Sequence, residues 1–209
     1  LGRALLAAGG PAAADSAARA QRDLDRYGDA LRGAYREACE ATQLRHEQSP
    51  YLRDRRYACL DKQRDELRAL TGALLEPDRV AVARATAAIA QLPDPVRRCE
   101  PTRLLAETEA TPADPSLRER VKDLRQRLAE ARALRQTGRA QRALEQARAL
   151  IREARDLGDA PMAEVLLNLG MAEQMSDRHP DAARSPPSPP ARRAHPAGGR
   201  RADPPTATR

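Results

Sequence analysis

The sequence predicts an all-α protein, on three observations. Its 209 residues include no Phe, no Trp and only 4 Tyr. Any core must therefore be built from Leu, Ala and Val, in a chain short of the β-branched and aromatic residues that favour strands. Long stretches return an apolar residue every three or four positions, which is the helical period. Cap residues stand directly before proline at Ser49-Pro50 and Asp114-Pro115, the order that opens a helix.

Taken in order, residues 1–14 read as a flexible N-terminal segment. LGRALLAAGG has too short an apolar run for a secretory leader and no Met, as expected of a fragment. Asp15-Ser16 can cap a long helix with Leu24, Tyr27, Leu31, Tyr35, Cys39 and Thr42 in one stripe, ending near Gln48. Ser49 then caps a second helix carrying Leu52, Leu60, Gln63, Leu67, Leu70 and Leu74. Two such amphipathic helices joined by a tight turn bury their stripes against each other as an antiparallel hairpin. Asp78 caps a third helix through Val80, Ala83, Ala87 and Ile89, stopped by Leu92-Pro93, so residues 15–93 form one helical hairpin or bundle. Residues 94–115 read as a proline-containing linker with a short helix near Thr102–Ala106, and as a boundary between subdomains. Beyond it, Asp114-Pro115 opens a helix with Leu117, Val121, Leu124, Leu128 and Ala131 on one face, ending at Gly138. A further helix spans Arg139–Leu157 and stops at Gly158.

Shifted by 39 residues, Leu128 falls on Leu167, Ala131 on Gly170, Gly138-Arg139 on Asp177-Arg178, and Ala143 on Ala182. Small residues on paired helices at such a period mark stacked helical hairpins, since only Ala or Gly lets two backbones approach closely. Leu169-Gly170 followed by Ala182, and the stretch GRAQRAL, resemble tetratricopeptide repeats. Residues 116–184 are thus expected to form tetratricopeptide-like hairpins, the second repeat incomplete, as part of an α-solenoid.

A more specific resemblance rests on Glu37-Ala38-Cys39-Glu40-Ala41-Thr42, Glu47-Gln48-Ser49, Ala58-Cys59-Leu60-Asp61, Arg64, Glu66-Leu67-Arg68-Ala69-Leu70, Leu92-Pro93 and Cys99. This series resembles the non-catalytic region between kinase and repeats in large bacterial serine/threonine protein kinases of the myxobacterial type. The resemblance implies a parent with a cytoplasmic kinase domain, a linker that often spans the membrane, and this helical block with tetratricopeptide repeats behind it. It implies a role in signal transduction, a protein or peptide partner, and membrane association only through the parent, an arrangement in which this region can lie on the extracytoplasmic side.

The residues themselves carry no enzyme. A kinase needs a glycine-rich phosphate loop, a strand lysine, a catalytic-loop Asp and a magnesium-binding Asp. Only Asp156-Leu157-Gly158 imitates the last, at a place where a helix ordinarily stops on glycine. His46, His179 and His195 lack partners at ligand spacing, and three cysteines without close pairs make no zinc site. No catalytic residue, metal or cofactor is therefore expected. The formal charge is +7, but residues 184–209 hold six Arg against one Asp, and elsewhere basic and acidic residues interleave as on a solvated face. Specific nucleic-acid binding is not expected. No run of 18 apolar residues suggests a membrane span.

Cys39 and Cys59 each lie ten residues from Ser49. Across an antiparallel hairpin that separation would place them opposite one another, so a Cys39–Cys59 disulfide becomes geometrically possible. The alternative is two reduced cysteines acting as small core residues. An oxidised pair would leave Cys99 odd and favour an extracytoplasmic location.

The last element stops short. After Ala182-Ala183 come Pro186, Pro187, Pro189 and Pro190, each costing about 3 kcal/mol inside a helix. Residues 185–209 are expected to be a disordered Pro/Arg-rich tail, produced by a frame shift or serving as a genuine linker. Two function classes follow. One is a regulatory or sensor module that binds a protein or peptide in a groove of helical hairpins, where only Arg135, Arg139 and Arg142, near the repeat turn, stand out as candidates. The other is a structural spacer or truncated fragment with no activity of its own.

Overall fold

The structure, a computed structural model, describes residues 1–106 and 114–178. The expected disordered tail, Ala182 of the second repeat, His179 and His195 lie outside the described residues. Among the described residues, nine α-helices follow one another: α1 (Gly2–Gly9), α2 (Ala14–Gln43), α3 (Pro50–Leu75), α4 (Arg79–Ala90), α5 (Pro95–Arg98), α6 (Pro101–Ala106), α7 (Pro115–Gln136), α8 (Ala140–Leu157) and α9 (Asp159–Arg178). Among the described residues there is no strand.

Helix starts follow the capping chemistry. Ser49 Oγ accepts from Leu52 N at 3.2 Å, Asp78 Oδ1 from Ala81 N at 2.7 Å, and Asp114 Oδ1 from Ser116 N at 2.9 Å. Each satisfies an amide that the first turn leaves without a partner. These bonds from Ser116 also hold the Asp114 carboxyl below the usual range. Proline fills the first position of α3, α5 and α7, where its missing N–H costs nothing.

The N-terminal core joins Leu5, Ala17, Ala20, Leu24, Leu70, Leu74, Val82 and Ile89. A second cluster lies nearer the α2–α3 turn, where Leu31, Ala34, Leu60 and Cys99 pack with the Tyr35 and Tyr57 rings, whose centroids are 5.6 Å apart. The C-terminal core puts Val121, Leu124 and Leu128 of α7 against Leu150, Ala154 and Leu157 of α8 and Val165 of α9. Each buried Leu or Val contributes about 1.5–3 kcal/mol, and the alanines between them allow close helix approach. Ala133 of α7 belongs to the N-terminal core, and α7 packs along α3. Helices from both sides of the 94–115 segment thus pack against each other.

Four expectations change. Residues 1–14, expected to be flexible, form α1 and a 3₁₀ turn over Pro11–Ala13. Leu5 is buried in the core, enough to fix one face of a short helix, and α2 starts without a side-chain cap. In α4 the buried face is Ala81, Val82, Ala85, Ala88 and Ile89, one step away from the expected Val80, Ala83 and Ala87. A helix this rich in alanine has nearly uniform hydrophobicity, so Val82 and Ile89 set its phase. The third change is the disulfide. Cys59 pairs with Cys99, their Cα atoms 5.7 Å apart, and Cys39 is free and exposed. The hairpin turn runs from Leu44 to Ser49, so its centre lies two to three residues before Ser49. Tyr35 accordingly stands level with Tyr57 and Asp61, and the Cys39 thiol meets the Tyr57 hydroxyl, short of Cys59.

The fourth concerns the internal repeat. Leu128 is 1% exposed, whereas Leu167, 39 positions later, is 60% exposed. Ala131 is buried and Gly170 exposed. The two helices match in sequence but not in surroundings, because α8 covers this face of α7 and no described helix covers it on α9.

Candidate functional site

Three helices enclose a groove of about 440 Å³, within the range of ligand-sized clefts. Each wall is a row at helical i, i+4 spacing. Asp65, Ala69 and Ala73, with Arg68 and Gly72 beside them, come from α3; Gln126, Glu130 and Leu134 from α7; Arg142 and Gln146 from α8. On the α3 wall, Ala69, Gly72 and Ala73 are small and leave space beside them. A Cβ added to Gly72 would meet nothing within 4 Å.

The groove is anchored on both sides. Gln126 Nε2 donates to Asp65 Oδ2 at 3.2 Å. Further along the α3–α7 seam, Arg132 pairs with the buried Glu66 and also donates to Asn168 Oδ1 at 3.3 Å. Arg125 reaches Glu164 of α9 at 2.7 Å. At the other end, Arg139 donates to the carbonyl oxygens of Ala73, at 3.1 Å, and of Glu76. It thereby satisfies the C-terminus of α3, where a cation also meets the negative end of the helix dipole.

Of the three arginines singled out in the sequence, the structure gives the groove only Arg142. Arg139 is a cap. Arg135 contacts Met175 Sδ at 3.9 Å, and burial, then the neighbouring Arg132, push its guanidinium below its ordinary range. Sequence reasoning missed Asp65, Arg68, Gly72, Gln126, Glu130 and Gln146. The usable signal was the small-residue cluster Ala69, Gly72 and Ala73 near the end of a long helix.

Two acidic and two basic side chains line the groove, so its formal charges balance. Among the described residues, Arg68, Glu130 and Arg142 have no ion-pair partner. Charges of both signs left available around a partly apolar floor suit a polar, extended ligand such as a peptide. Among the described residues, no group of three His, Cys, Asp or Glu side chains could hold a metal, and none of the described helices is long and apolar enough to cross a membrane. Asp156-Leu157-Gly158 is a helix end, with Leu157 buried and Gly158 at φ 108°.

Comparison with protein-family models, with curated proteins and with solved structures finds no match.

Proposed function

We propose that this chain is a non-catalytic protein-interaction module whose α3–α7–α8 groove receives an extended segment of a partner protein. The observation that carries this reading is the row of available charges, Arg68, Glu130 and Arg142, around a floor of Ala69, Gly72 and Leu134. A peptide supplies what that lining can use, namely side chains of both signs and a backbone of donors and acceptors. The family resemblance supports a regulatory or sensor role in a bacterial serine/threonine kinase, with α7, α8 and α9 as tetratricopeptide-like hairpin elements. In that setting the chain itself neither binds ATP nor transfers phosphate, and tight magnesium-dependent nucleotide binding in a calorimeter would count against the reading.

Selection of random peptides displayed on phage tests the groove. Selected peptides should stabilise the chain against heat, because only a ligand of the folded state raises stability. They should bind at least tenfold more weakly to Arg142→Glu and to Gly72→Arg, whose side chain enters open space, while both variants keep the wild-type melting temperature. Peptides indifferent to both changes would move the site elsewhere. Failure to select any peptide would favour a structural spacer.

A further inference from the structure

The outer face of α9 carries the pattern Ala163-x-x-Leu166-Leu167-x-x-Gly170-Met171, with Met162 at its edge, partly buried against the C-terminal core. The opposite face, Pro161, Val165, Asn168 and Ala172, is buried. Leu166, Leu167 and Met171 are 51%, 60% and 40% exposed, and Ala163 and Gly170 are exposed between them. A Cβ on Gly170 would meet nothing within 4 Å. This is a continuous apolar stripe with no cover among the described residues.

The chain's own next residues lack the side chains to cover it as α8 covers α7. At the 39-residue offset, Leu144, Ala147, Leu150, Ala154 and Leu157 of α8 correspond to Ala183, Pro186, Pro189, Arg193 and Pro196. The stripe is, however, complementary to itself. Read in either direction its centre runs small, Leu, Leu, small. In an antiparallel pair centred between Leu166 and Leu167, each leucine meets the other leucine of the second copy. Ala163 then faces Gly170. Such matching of large and small residues about a two-fold axis is what an isologous interface requires.

The flanking charges fit the same arrangement. Arg148, Arg152 and Arg155 recur at steps of four and three along α8, on the face from which Arg148 reaches Glu173 at 3.3 Å. The two-fold axis brings Glu173 of one copy to the level of Ala160 of the other, beside the α8–α9 turn at which the arginine row of α8 ends. We infer that α9 is a homodimerisation helix, pairing antiparallel with α9 of a second copy through Ala163, Leu166, Leu167, Gly170 and Met171. One helix face falls short of the ~800 Å² per partner of a standard interface, so the dimer is weak.

Sedimentation equilibrium of the full chain tests this. A monomer–dimer equilibrium in the micromolar range is expected, weakened at least tenfold by Leu167→Glu, with an unchanged circular dichroism spectrum and melting temperature in dilute solution. In a Cys39→Ser background, Leu166→Cys should form an intermolecular disulfide on mild oxidation, and Leu44→Cys, more exposed but remote, should not. A monomer at all concentrations would overturn the inference, as would a dimer indifferent to Leu167→Glu. So would a chain that dimerises only after removal of residues 179–209, which would assign the face to that segment.

Discussion

The carboxylate of Glu66, on α3, receives the guanidinium of Arg132, on α7, with Glu66 almost wholly withdrawn from water. The two residues are 66 positions apart, so this pair ties the N-terminal hairpin to the C-terminal helices and holds two walls of the groove in register. Removing one partner strands the other. Glu66→Leu or Arg132→Leu alone should cost roughly 2–3 kcal/mol, at or below the lower end for a buried pair because Arg132 keeps part of its surface in water. The double variant should recover much of that loss. Urea unfolding of the four proteins in a double-mutant cycle gives the coupling; strictly additive losses would show that the pair contributes no joint stabilisation.

Two glycines separate conformational strain from collision. Gly138 has φ 91°, and a Cβ there would stand 2.6 Å from Val80 Cγ1; Gly158 has φ 108° and open space around it. Both Gly→Ala variants should lose about 1–3 kcal/mol from the backbone alone. Val80→Ala should return part of the loss in Gly138→Ala and none in Gly158→Ala. Thermal melts of the single and paired variants decide the matter.

Peptide mapping of the unreduced protein should find Cys39 alkylated and Cys59 linked to Cys99. Closing a loop of 40 residues contributes about 4 kcal/mol in the chain-entropy account. Cys59→Ser/Cys99→Ser should therefore lose a stability of that order in denaturant, whereas Cys39→Ser should change it by less than about 0.5 kcal/mol. A Cys39–Cys59 peptide would reverse the assignment.

Alkali should weaken the fold through two phenols. Burial raises both Tyr27 and Tyr35 above the ordinary tyrosine range, with Glu66 and Asp94 adding to it at Tyr27 and the bond to Asp61 at Tyr35. That bond, Tyr35 Oη to Asp61 Oδ1, is 2.7 Å long. A raised folded-state pKa means that the folded chain holds protons the unfolded chain has released. The stability they contribute is complete below about pH 10 and lost as pH rises beyond it. Tyr27→Phe/Tyr35→Phe should flatten the decline in melting temperature above that pH. An unchanged slope would place the alkaline sensitivity elsewhere. The Tyr27 hydroxyl has no hydrogen-bond partner among the described residues, so Tyr27→Phe alone should leave neutral-pH stability nearly unchanged.

How far the fold could be read from the sequence depended on how local the determining forces are. Ser49-Pro50, Asp78 and Asp114-Pro115 act within four residues, so their helix starts were legible. The phase of α4 was not, because its alanines present almost the same hydrophobicity on every side. The disulfide pairing failed on a shift of two to three residues in the turn centre, which decides whether Cys59 meets α2 or the segment after α4. The groove was largely hidden, since Asp65, Gln126 and Gln146 become neighbours only when α3 lies along α7 with α8 beside them. Arg135, Arg139 and Arg142 look alike in the sequence, and only their surroundings separate a half-buried side chain, a cap and a lining residue.

The bond between Cys59 and Cys99 also imposes an order of events at the ribosome. Cys39 is synthesised first and Cys99 last. From the moment Cys59 emerges until translation has added the 40 residues to Cys99, Cys39 is the earlier thiol of this sequence that Cys59 can meet. Once α2 and α3 have paired, the turn between them holds these two out of register. The length of a six-residue turn thus protects a thiol for a partner that has yet to be made.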